Sequence, residues 1–146
     1  MRRTTAAALA LGLVMGACAQ GGREADTSLV DAEARWADAG ITDYTLTVSY
    51  GCFCVRERVG PFEVTVAGGE VVEVRFEGEV IEPTPGVTPV EVFTVEGLFA
   101  EVRANQDAAR LTVEYDDNGV PTLIEIDRLI EAIDDELTIT ASLSTP

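Results

Sequence analysis

Two cysteines one residue apart, Cys52-Phe53-Cys54, are the residues of this chain best suited to chemistry. A thiol pair can close into a disulfide, exchange with other thiols, or hold a soft metal. On an extended strand their Cα atoms stand about 6.6 Å apart, near the limit for a disulfide. A bond therefore requires a tightened backbone, which Gly51 permits. The ring it closes is tiny and stabilises by only about 1.6 kcal/mol in the chain-entropy treatment. Such a bridge is a weak staple, and a strained bridge is easier to reduce. Arg56 and Arg58 nearby favour a thiolate. Three readings stand: a local clip at a sheet edge, a redox-active pair, and a soft-metal site. The last must recruit carboxylates, because the chain contains no histidine.

Carboxylates are plentiful, 26 against 10 basic residues, for a net charge of −16. They cluster at Asp116-Asp117-Asn118 and at Asp134-Asp135-Glu136. If the last two strands are neighbours, these loops can approach and offer oxygen ligands to Ca²⁺. Against that, Asp116-Asp117-Asn118-Gly119 lacks full calcium-loop spacing and suits a turn. Nucleophilic catalysis has little to work with, since a serine finds neither histidine nor lysine as base. A carboxylate acid–base pair is conceivable, but no spacing selects one. Phosphate loops and zinc spacings are absent, so no catalytic residues are assigned.

The third cysteine, Cys18, reads differently. Arg2 and Arg3 open the chain, Ala6 to Met15 is apolar apart from one glycine, and Met15-Gly16-Ala17 precedes Cys18. This is an export signal, with an apolar run too short for the roughly 20 residues of a spanning helix. Small residues directly before a cysteine resemble the lipobox of bacterial lipoproteins, in which the cysteine receives a diacylglyceryl group. Met15 stands where leucine is usual. The competing reading is an ordinary signal peptide cut near Ala17 or Ala19, leaving a freely secreted protein. Lipidation of Cys18 would leave Cys52 and Cys54 as an even pair, usually oxidised outside the cytosol. Removing residues 1–17 deepens the charge from −16 to −18 by loss of two arginines. So acidic a body repels nucleic acid and anionic headgroups. The expected location is the cell envelope, held by the lipid in the outer leaflet of the plasma membrane or, in a two-membrane cell, at the outer membrane. The partner is an unknown protein or small molecule.

Positioning elements follow from periodicity. Residues 1–17 are the expected signal peptide, 18–28 the lipidated cysteine and a flexible tether, and 29–146 a single domain. Ser28 is placed to cap a helix whose Leu29, Ala32, Trp36 and Ala39 share a face, with Gly40 as its stop. Tyr44, Leu46, Val48 and Tyr50 alternate as the buried side of a strand. The sets Phe62/Val64/Val66 and Val72/Val74/Phe76 predict a hairpin. Parity demands an odd loop there, expected as three residues with a glycine at positive φ. Prolines at 83, 85 and 89 make 78–92 a loop or edge segment. Thr94 starts a second helix with the stripe Val95, Leu98, Phe99, Val102, and Asn105 ends it. Strands over 110–115 and 122–127 are joined by a two-residue Asn118-Gly119 turn, and 137–143 alternates as a last strand. The class is α+β: one antiparallel sheet of about six strands, two helices on one face, and a hint of an αβββ duplication.

Lipobox Cys18, Trp36, Tyr44-x-x-x-x-x-Tyr50, Cys52-x-Cys54, Leu98-Phe99, Tyr115-Asp116, Gly119-x-Pro121, Ile126-Asp127 and Asp134-Asp135-Glu136 stand in an order that resembles the bacterial family catalogued as domain of unknown function 6174. The resemblance covers roughly residues 30–143 and departs at Val120, where such proteins often carry an aromatic. It implies an exported, often lipid-anchored domain and carries no catalytic residues with it. The leading expectation is a non-enzymatic, membrane-anchored binding or scaffold module with no cofactor beyond its lipid. The alternative is a thiol-redox or metal-handling lipoprotein using Cys52 and Cys54.

Overall fold

A computed structural model describes residues 21–129, 131 and 136–146, with side chains from residue 28 onward. Helix α1 spans Gly21–Ala39. It therefore begins before Ser28, and residues 21–27 are helical rather than tether. Arg23, Glu24 and Ala25 are good helix formers, so nothing in them stops the helix propagating outward from its packed part. Leu29, Ala32 and Trp36 are buried, whereas Ala39 is exposed in the last turn before Gly40.

Seven strands form one antiparallel sheet in the order β4-β3-β2-β1-β7-β6-β5. Their bounds are β1 Tyr44–Gly51, β2 Phe62–Ala67, β3 Glu70–Phe76, β4 Glu79–Val80, β5 Arg110–Tyr115, β6 Pro121–Asp127 and β7 Glu136–Ser144. The strand beyond the expected six is β4, two residues that pair with Arg75 and Phe76 on the sheet margin. A four-residue helix α2, Arg56–Val59, follows β1, and α3, Val95–Ala104, follows a 3-10 turn at Val90–Val92. Thr94 caps α3 by accepting from the Gly97 N–H at 3.0 Å, and Asn105 closes it. The four apolar residues of its stripe are all buried.

Both large helices meet the same residue of the central strand. The Trp36 ring stands edge-on to Tyr44 with centroids 5.6 Å apart, while the Tyr44 hydroxyl accepts from the Val95 N–H at 3.2 Å. The Trp36 indole N–H also reaches Glu96 Oε1 at 2.9 Å, tying α1 to the first turn of α3. Beneath them Leu46, Val48, Phe62, Val64, Ile124 and Ile139 form one core at 0–1 % exposure. No helix among the described residues is long and apolar enough to cross a membrane.

Both hairpins solve their parity within a strand. Between β2 and β3 the turn is the two-residue Gly68-Gly69, not a loop of three. The register shifts between Thr65 and Val66, so Val64 faces Val74 but Val66 faces Val71. Val72 is the extra residue and lies 60 % exposed, outside the core set expected for it. Between β5 and β6 the Asp116 N–H bonds the Val120 carbonyl, and the Gly119 N–H bonds the Asp116 carbonyl. Asp117 and Asn118 therefore form the turn, rather than Asn118-Gly119, and Gly119 follows at φ +88°. That is a three-residue loop with a glycine in the left-handed region, and a shift between Glu114 and Tyr115 restores Val113 opposite Ile124.

The suspected duplication does not survive the topology. Read across the sheet, β3-β2-β1 and β7-β6-β5 repeat one order, yet every neighbouring pair is antiparallel, so corresponding strands run in opposite directions. With both helices on one face, only a reflection would relate such halves, and a chain of L-residues has no mirror image.

Candidate functional site

The end of β1 builds a cleft of about 240 Å³. Strand alternation brings Tyr50 to the inner face as the last buried residue of β1, with 3 % of its surface exposed. After Gly51 the chain bends, and Cys52 and Cys54 join through a disulfide with Cα atoms 5.2 Å apart. That separation is shorter than an extended strand allows, so the backbone tightens as the spacing requires. Both cysteines line the cleft, whereas Phe53 between them is 96 % exposed. The disulfide thus holds an aromatic ring out in water beside the cleft mouth.

Helix α2 then separates the two nearby arginines, because residues two apart on a helical turn point different ways. Arg58 lies over the Tyr50 ring at 5.4 Å from its centroid and bonds Glu91 Oε1 at 2.8 Å. Arg56 turns out to Glu77 and is not in the cleft. Glu91 sits on the 3-10 turn, which packs closely on the start of α3: a Cβ at position 97 would run into the Glu91 carbonyl, so only glycine lets the two approach. Across the cleft, Glu101 of α3 accepts from Asn105 Nδ2 at 3.1 Å, and Asn105 Oδ1 accepts from Arg128 Nε at 3.1 Å. Arg128 also stands 3.8 Å from Glu101. Glu136 and Leu137 complete the wall from β7.

Burial pushes the Tyr50 phenol well above its ordinary pKa, reinforced by the charges of Glu91 and Glu101 and opposed by Arg58 and Arg128. It is therefore a neutral O–H across the physiological range. Among the described residues nothing hydrogen-bonds that hydroxyl, in contrast to Tyr44, which holds the Val95 N–H. The cleft is thus lined by a hydroxyl free to donate and accept.

The other expected sites fare differently. Cys18, Asp134 and Asp135 lie outside the described residues. The β6 and β7 strands are neighbours as required, but this keeps the acidic clusters apart. Asp116 and Asp117 precede β6, while Glu136 pairs with Asp127 at its far end, about 20 Å away at strand rise. Asp116 Oδ1 is already engaged, accepting from the N–H groups of Asn118 and Val120 at 2.9 Å each. Among the described residues no group of three or more Cys, Asp or Glu converges as metal ligands. A second depression of about 210 Å³ lies on the other side of Glu136 and Leu137, with Arg110 facing Asp127 across β5 and β6.

A protein-family profile, described as a family of unknown function (DUF6174), matches residues 28–146. The chain belongs to this family. Its match covers the whole α+β domain from the packed part of α1 to the end of the chain, including every residue of the cleft. No curated protein and no solved structure matches the chain.

Proposed function

We propose that this member of the family is a non-enzymatic binding module of the cell envelope, lipidated on Cys18, whose ligand site is the cleft beside the Cys52–Cys54 bridge. One observation carries the ligand site: the Tyr50 side chain is 3 % exposed, its hydroxyl has no hydrogen-bond partner among the described residues, and it lines the cleft beneath Arg58. A hydroxyl that lines a cleft without a protein partner is left for water or a ligand to complete. Charge argues for the tether, since a chain of net charge −16 has little affinity of its own for anionic headgroups. Two measurements test the proposal. Intact-mass analysis of the membrane fraction should find a diacylglyceryl group on Cys18, and an unmodified soluble terminus refutes the tether. A small-molecule panel followed by amide chemical shifts should perturb Tyr50, Arg58 and Cys54 together; shifts confined to other surfaces refute the site.

A second reading, thiol exchange, is favoured by the exposure of Cys54 at the cleft mouth. In it an incoming thiolate attacks one sulfur of the bridge and the other cysteine leaves as thiolate. Alkylation after mild reductant discriminates: rapid double labelling of Cys52 and Cys54 supports exchange, and resistance supports the clip.

A further inference from the structure

The charges around the cleft specify its ligand more closely, an inference that rests on the cleft being the ligand site. Two arginines and three glutamates line it. Arg58 is anchored by Glu91, and Arg128 by Asn105 and Glu101, yet each guanidinium carries five N–H donors and spends only one or two there. Glu136 has no ion-pair partner among the described residues. The groups left over are therefore the Tyr50 hydroxyl, spare guanidinium N–H donors and one carboxylate. A plain anion would meet an excess of carboxylates within an already acidic protein. A plain cation would satisfy Glu136 but offer no acceptor to the Tyr50 hydroxyl and the spare guanidinium donors.

We propose that the cleft takes a small zwitterion of the amino-acid type, its carboxylate on the Tyr50 hydroxyl and Arg58, its ammonium on Glu136. The size agrees: 240 Å³ lies below the ~300–1,000 Å³ typical of drug-sized ligands and suits a free amino acid or the end of a short peptide. The disulfide and Leu137 supply an apolar wall for a small side chain.

The test titrates the full chain with glycine, diglycine, N-acetylglycine and glycinamide, following the amide shifts of Tyr50, Arg58 and Cys54. Glycine is expected to bind about threefold or more tightly than either singly charged analogue, because each forgoes one of the two charge pairings at a solvent-reached site. Diglycine binding as well as glycine assigns a peptide end as the ligand; weaker binding assigns the free amino acid. Tyr50→Phe should weaken glycine about tenfold with an unchanged melting temperature, and Glu136→Gln should bring glycine down to the level of N-acetylglycine. Equal binding of all probes, or indifference to Tyr50→Phe, overturns the zwitterion. If a singly charged or neutral compound alone shifts these amides, the ligand class is wrong and the cleft still stands as the site. If no compound of a broad polar panel shifts them, both fall.

Discussion

Arg58 lies over the Tyr50 ring, 5.4 Å from the centroid, while its Nη2 holds Glu91 at 2.8 Å. One side chain thus closes the cleft floor and joins α2 to the 3-10 turn before α3. Its side chain is 29 % exposed, so solvent screens the pair only in part. Arg58→Ala is expected to cost about 1 kcal/mol, from lost cation–π contact and ion pairing. A shifted urea midpoint at constant slope would show it, and no shift would mean that the contact is idle.

Gly97 controls the same junction from the other side. Gly97→Ala places a methyl against the Glu91 carbonyl and must push the 3-10 turn off α3. A cost of about 1–3 kcal/mol is expected, although alanine is the better helix former. A thermal melt decides the sign, since a gain in stability would mean that the approach is not tight.

All three tyrosines have phenols raised by burial before any other cause. The folded state therefore holds these protons more tightly than the unfolded chain, whose tyrosines titrate near pH 10. The associated stability is complete below about pH 10 and is lost as pH rises through the folded values. Phenolate absorbance should stay low until the alkaline unfolding transition and then appear together with it. Normal titration of a tyrosine in the folded protein would contradict the burial.

Removing the bridge should matter little to the fold. Cys52→Ser with Cys54→Ser is expected to lose about 1.6 kcal/mol, the entropy of a very small loop. Melting should remain one cooperative transition, with Phe53 no longer held in place. Loss of folding would show that the bridge is a structural necessity.

Asp116 distinguishes a turn from a calcium site. Asp116→Asn keeps an oxygen that can accept from Asn118 and Val120 and should be nearly neutral, whereas Asp116→Ala should cost about 1–2 kcal/mol. Melting with added Ca²⁺ should not change in either variant or in the parent. A rise with Ca²⁺ that disappears in Asp116→Asn would restore the metal reading.

Much of the architecture was determined by local pattern. Alternation at Tyr44, Leu46, Val48 and Tyr50 sets which face of β1 is buried, because side chains change sides at every residue. The stripe Val95, Leu98, Phe99, Val102 sets the buried face of α3 in the same way, and Thr94 sets its start. The Cys52–Cys54 spacing already required a tightened backbone. Tertiary structure decided what pattern leaves open. Parity fixes only the combined count of loop and bulge residues in each hairpin; how that count is shared depends on packing, and Val72 was placed in solvent. The Asp116 and Glu136 clusters, neighbours by strand pairing, were set at opposite ends of β6 by chain direction. The cleft is least legible of all. Tyr50, Arg58 and Glu101 come from three separate elements and Arg128 from the bend after β6, and Tyr50 reads in sequence as one more core residue. Only the absence of a partner for its hydroxyl marks it, and that is a property of surroundings assembled from distant segments, which no local spacing encodes.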